Sequence, residues 1–228
     1  MTLRRVILGV SWVDDHPLVR VRDQHTIASE LVPLIGLDLC HRALADSPRI
    51  CIGHKPLRSG GASYVDCRQA PQPGGRTCRS CAVAEATFAS NLHHAHTKES
   101  IGVDPDIAAH LRQPNLLYLA AFRDGSTKVG TSTEKRLHTR LAEQGAWVAR
   151  VVAWTPDGIT VRLLEDLVTK RLELPQAVSA SRKLGGLTQP VPEDRLDRGL
   201  ATADGGRAVS VISVEGTRGR SPRNAVKQ

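Results

Sequence analysis

The stretch Asn115-LLYLAAFRDGSTKVGTSTEKRLHTRLAEQG-Ala146 decides the fold, because its texture changes within a few turns of chain. Leu116–Phe122 is an apolar run of strand length. Asp124-Gly125 follows with hairpin chemistry, since both residues tolerate the backbone angles of a tight turn. Thr127–Thr131 reads as a second short strand. Thr131, Ser132 and Thr133 can each cap a helix with a side-chain oxygen. The helix is expected from about Glu134 to Gln144, with Leu137 and Leu141 on one face. Gly145 stops it, as a residue at ease in the left-handed conformation. Beyond it, Trp147–Trp154 is an apolar strand and Pro156-Asp157-Gly158 a turn. Val161–Leu174 is helical, with Leu164, Leu167, Val168 and Leu172 on one side. The order is hairpin, helix, strand, helix, a small α+β domain over residues 110–187.

Upstream the texture is different. Residues 51–100 are rich in Cys, Gly, Pro and His and show little periodicity. Such a segment cannot build an ordinary core and needs a metal to order it. The cysteines fall as Cys51-x15-Cys67-x10-Cys78-x2-Cys81. Two residues between Cys78 and Cys81 let both sulfurs face one tetrahedral site. Cys51, Cys67, Cys78 and Cys81 are therefore expected to hold one structural zinc ion in a zinc-ribbon-like module. A full thiolate shell leaves no position for a reacting water. An iron–sulfur cluster uses the same ligands, and a redox CxxC pair needs a βαβ context that is missing here. Cys40, in an apolar stretch, reads as a buried thiol. His93, His94 and His96 read as a polar turn or helix face, and His54 as a substitute ligand.

The outer segments carry less. Residues 1–50 alternate weakly near Val6–Val21, which predicts one or two strands. Ile27–Ala45 fits helix or strand. The apolar run after Arg4-Arg5 is broken by Asp14 and Asp15, so the start is not read as a signal peptide. No stretch approaches a membrane span, and a cytoplasmic location is expected. Residues 188–228 form a C-terminal extension. Gln189–Asp204 is rich in Pro and charge, Arg207–Val214 fits a strand, and Gly216–Gln228 is expected to be disordered.

The chain has 228 residues, a net charge of +8 and 3% aromatic residues. The charge favours a polyanionic partner such as nucleic acid, DNA or RNA. So few aromatics exclude an extended base-stacking platform, leaving phosphate contacts by Lys and Arg.

The series Tyr118, Lys128-Val129-Gly130, Arg136 and Arg140, then Glu165, resembles the core of GIY-YIG nucleases. With the cysteine segment and Glu143-Gln144-Gly145-Ala146, residues 45–187 closely resemble a prokaryotic family, domain of unknown function 2797. The resemblance implies a divalent-metal-dependent phosphodiesterase. In it Glu165 would hold Mg²⁺ on the scissile phosphate, and Arg136 or Arg140 would stabilise the transition-state charge. Tyr118 would position or deprotonate the attacking water. Lys128 stands where that fold usually offers tyrosine. A lysine binds phosphate but needs a lowered pKa to imitate a phenol. Two other classes fit the same residues: a non-catalytic nucleic-acid binder on a degenerate nuclease fold, and a zinc-stabilised scaffold for another protein.

Overall fold

The computed structural model describes residues 5–13, 16–23, 25–37, 49–55, 64–93, 105–206 and 210–213. Cys40, His94, His96 and the segment from Gly216 lie outside them, as does the side chain of His93. The chain divides into two units, Met1–His110 and Leu111–Gln228. The protein is α+β, with two small antiparallel sheets.

In the first unit β1 (Arg5–Val13), β2 (His16–Asp23) and β3 (Glu30–Pro33) form an antiparallel meander. The segment that fitted helix or strand thus supplies a strand. The cysteine segment is built on loops, with a bridge between His54 and Val65 and a helix, α1 (Arg79–His93). That helix stands in a segment whose sequence shows little periodicity. Its alanine-rich sequence favours helix without an apolar stripe to announce it. Two arginines of β2 are almost fully buried, Arg20 at 3% and Arg22 at 2% exposure. Arg22 Nη1 donates to the Cys67 carbonyl at 2.8 Å. Arg20 donates to the Ile52 carbonyl and pairs with Asp66 at 3.2 Å. Asp66 in turn accepts from the Ser29 amide at 2.7 Å and its hydroxyl at 2.8 Å. The buried guanidiniums therefore tie the sheet to the loops that carry Cys51 and Cys67.

A short helix, α2 (Pro105–Leu111), crosses the boundary into the second unit. There β4 (Asn115–Ala121) and β5 (Thr127–Thr133) make the expected hairpin. A 3₁₀ turn at Glu134–Arg136 leads into α3 (Leu137–Gln144). Thr133 makes no side-chain cap bond, and the Ser132 hydroxyl turns to the Thr133 carbonyl. The possible caps are therefore not used here. Gly145, at φ 69°, ends α3 as expected. Then come β6 (Val148–Thr155), α4 (Gly158–Leu172), α5 (Ala180–Thr188), α6 (Glu193–Ala203) and β7 (Ser210–Ser213).

The sheet order is β5-β4-β6-β7, every neighbour antiparallel. Central β4 is buried on both faces, which explains why it is apolar throughout rather than alternating. Leu117, Leu119 and Ala121 pack toward Val161 of α4 and Leu196 and Leu200 of α6. Tyr118 and Ala120 pack on the other face, with Leu137 and Leu141 of α3. Two local readings change. Asp157 is the cap of α4, accepting from the Ile159 amide at 2.8 Å and the Thr160 amide at 2.7 Å. The Pro- and charge-rich stretch contains α6, whose Leu196 and Leu200, four residues apart, complete the core.

Candidate metal centre and candidate active site

The four cysteines come together in the first unit. All are free thiols, and their sulfurs lie within 4.8 Å of one another. Four sulfurs at a zinc bond length of about 2.3 Å would stand about 3.8 Å apart. The Cys67 and Cys78 sulfurs are 3.8 Å apart. The loops aim amides at the sulfurs: Cys78 N–H donates to Cys51 Sγ at 3.1 Å, and Gly53 and Gln69 N–H donate to Cys51 and Cys67 at 3.4 Å. Gly53 has φ 76°, and a Cβ there would stand 2.1 Å from the Val65 carbonyl oxygen, so only glycine lets the two loops meet.

α1 begins at Arg79, so Cys78 and Cys81 sit at its N-terminal end, where the helix field favours thiolate. The Cys78 thiol is drawn down to about 6, first by the Ser80 hydroxyl and then by the Cys81 amide. Cys67 and Cys81 are pushed up, first by burial. Such crowded thiols cannot all ionise without a cation between them. The donor set and its spacing fit one metal ion such as zinc.

The second cluster draws on β4 and β5, on the second half of α3 and on the middle of α4. Tyr118 is paired with Gly130 across the hairpin, and Ala120 with Lys128. The absence of a side chain at Gly130 lets the Tyr118 ring lie over it: a Cβ there would be 2.6 Å from the hydroxyl. The Gln144 amide, turned to satisfy both neighbours, donates to the Tyr118 hydroxyl at 3.1 Å. It accepts from Arg140 at 2.9 and 3.1 Å. Burial raises the Tyr118 pKa, Glu165 adds to that, and Arg140 and Gln144 oppose it. Lys128 is drawn down to about 8, first by burial and then by Arg140, with Lys183 and Arg162 adding and Glu165 opposing. Glu165, 4% exposed, is held by Arg162 Nη1 at 2.5 Å.

Tyr118, Lys128, Arg140 and Glu165 thus share one neighbourhood. Arg136 does not join them: it is half-exposed and pairs with Glu143 at 3.2 Å. Three members were not singled out in the sequence. Gln144 stood there as the end of the expected helix and within the Glu143-Gln144-Gly145-Ala146 string, with no role of its own. Arg162 carried a signal, its helical spacing of three to Glu165. Lys183, whose Nζ donates to the Gln144 carbonyl at 2.6 Å, carried none.

Fold and clusters together define an α+β protein with a four-cysteine site able to hold a metal ion. The chain belongs to the family described as protein of unknown function (DUF2797), whose pattern matches residues 65–202. The match opens past Cys51 and includes Cys67, Cys78, Cys81, the whole Tyr118–Glu165 cluster and nearly all of α6. No match was found among curated proteins or among solved structures. Among the described residues no helix is long and apolar enough to cross a membrane.

Proposed function

We propose that this protein binds nucleic acid through its phosphates and cleaves phosphodiester bonds with a divalent metal, Mg²⁺, at Glu165. The cysteine site holds a structural zinc. The observation that carries this reading is the company Glu165 keeps: Lys128, Arg140, Arg162 and Lys183 all act on the same small region as the Tyr118 hydroxyl. Cations gathered around a single carboxylate suit a phosphate with a bridging metal. Arg140 is the charge stabiliser rather than Arg136, because it alone reaches Tyr118 through Gln144.

A second reading has its own observation. The bond from Arg162 occupies one oxygen of Glu165. A metal would have to displace it, and a site that keeps it would bind nucleic acid without cutting.

Both readings require electrostatic binding. Affinity for an oligonucleotide is expected to fall steeply with salt, by on the order of 10³-fold between 50 and 200 mM for about six phosphate contacts. It is also expected to weaken as pH rises through about 8, where Lys128 loses its charge among Arg140, Arg162, Lys183 and Glu165. Lys128→Arg, which does not titrate there, should flatten that pH dependence. Fluorescence anisotropy measures both effects, and a salt-independent affinity contradicts a nucleic-acid partner.

A further inference from the structure

Arg140 stands at the surface of the second cluster, but three of its members are covered. Tyr118 is 0%, Glu165 4% and Lys128 7% exposed. No phosphodiester of a polymer reaches side chains so covered. Three walls of the enclosure are packed into cores: the sheet, α3 through Leu137 and Leu141, and α4 through Val161. The fourth is the segment 175–188, which is not. Of its residues Gly186 alone is buried, Val178 and Lys183 are half-buried, and the rest are exposed, Leu184 and Leu187 at 61% and 72%.

Its fastenings are few and mostly polar. The Pro175 carbonyl accepts from the Val129 amide at the outer edge of β5, at 3.1 Å. Lys183 spans the Gln144 carbonyl and the Phe122 ring. Val178 rests on the Tyr118 cluster. Exposed Arg182 stands 3.8 Å from Asp124. Gln176 reaches Asp166 at 2.8 Å. Between the segment and the hairpin turn lies a cavity of about 340 Å³, lined by Ser126, Thr127, Pro175, Val178 and Arg182 among others. The segment leaves α4 through Glu173, whose φ of 52° is the one positive value at a non-glycine among the described residues. At its far end the Val191 amide is bound to the Arg123 carbonyl at 2.7 Å.

We infer that residues 175–188 are a strap closed over the Tyr118–Lys128–Glu165 cluster, tethered at both ends, and lifted to admit a polyanionic strand. An element with few buried contacts over a cavity opens well below the cost of global unfolding. Lifting exposes Lys128 and the Tyr118 hydroxyl together. It also turns Lys183 from a clasp on Gln144 into a free cation at the mouth of the site. A strand of phosphates would compete for that ammonium and so favour the open state. The strap's purpose rests on the phosphodiester reading, whereas its motion does not.

Amide hydrogen exchange by NMR on the full chain tests the motion. The Val129 amide, bonded to Pro175, is expected to exchange on the order of 100-fold faster than that of Leu119, its partner on β4. Gly186→Ala would place a Cβ 2.4 Å from the Asp124 nitrogen and 2.5 Å from the Arg123 carbonyl carbon, prising α5 away. Lys183→Met removes the clasp without a wedge. Both should speed Val129 exchange and raise nitration of Tyr118 by tetranitromethane several-fold, while Leu119 stays protected. Equal protection of Val129 and Leu119 in the unaltered chain overturns the strap. So does a folded Lys183→Met chain with unchanged Val129 exchange and Tyr118 nitration. A strap that opens in these measurements, with no gain in oligonucleotide affinity in Gly186→Ala, which keeps every cation of the site, stands as a strap and removes the nucleic-acid reading instead.

Discussion

Cys78→Ser is expected to lose the metal and the order of the first unit together. Cys78 touches two other cysteines of the cluster. Its sulfur lies 3.8 Å from that of Cys67, and its amide donates to the Cys51 sulfur at 3.1 Å. A structural zinc in a small module contributes about 10–16 kcal/mol of apparent binding free energy. Whole domains are stable by only about 5–15 kcal/mol, so the lost ligand outweighs what the loops can supply. The effect should reach the sheet. Arg22 is bound to the Cys67 carbonyl and Arg20 to that of Ile52, both from β2. Once the loops move, two buried guanidiniums lose their partners, at a cost of about 1–3 kcal/mol each. The expected readout is under one tenth of the wild-type zinc, with insoluble protein or loss of the cooperative transition of the first unit. A soluble, metal-free variant with an unchanged melting curve contradicts a structural zinc.

Gly130→Val is expected to have the second largest effect, this time in the second unit. The Tyr118 ring occupies the space above Gly130, and a Cβ would stand 2.7 Å from its ζ carbon. The ring cannot swing aside freely, because it is 0% exposed and its hydroxyl is bound by Gln144. Overpacking of this kind costs about 1–3 kcal/mol or more, and it would uncouple Tyr118 from Arg140. The partner is identified by a double-mutant cycle. Tyr118→Ala opens the space, so the two changes together should be less harmful than their sum by about 1 kcal/mol or more. Strict additivity in urea unfolding would mean that the ring does not lie there.

The hairpin, α3 and α4 were legible because each carries its own local signal. Asp124-Gly125 is a turn dipeptide, Leu137 and Leu141 share a face, and Gly145 sits where a helix must stop. The four-cysteine cluster was legible for a similar reason: one CxxC and two further cysteines in a segment with no core of its own leave few alternatives. Other features depend on partners far along the chain. Nothing near Arg20 and Arg22 shows that their charges end beneath the cysteine loops. α1 has too even a distribution of alanine to display a stripe. α6 was obscured by Pro190, Pro192 and its charges, although Leu196 and Leu200 stood four apart. The choice between Arg136 and Arg140 needed the side chain of Gln144, since both arginines occupy the same helical face. Lys183 comes from a segment with no strong periodicity, and its place beside Gln144 is set by how α5 settles on the hairpin turn, where Gly186 touches Arg123 and Asp124.

The most direct test of the account is hydrolysis of end-labelled single- and double-stranded oligonucleotides by the full-length protein, with Mg²⁺ titrated in and Glu165→Gln run beside it. Glutamine keeps the shape and a hydrogen-bonding oxygen for Arg162 but not the charge that holds a divalent ion. The zinc content and melting temperature of the variant serve as controls for folding. The account expects Mg²⁺-dependent cleavage by the wild type, and a rate at least 100-fold lower in Glu165→Gln, on the scale of losing a principal electrostatic contact to the transition state. Cleavage that persists in folded Glu165→Gln, or that ignores Mg²⁺, contradicts the metal assignment. A wild type that binds oligonucleotides but never cuts them leaves a binding protein in which Arg162 keeps its hold on Glu165.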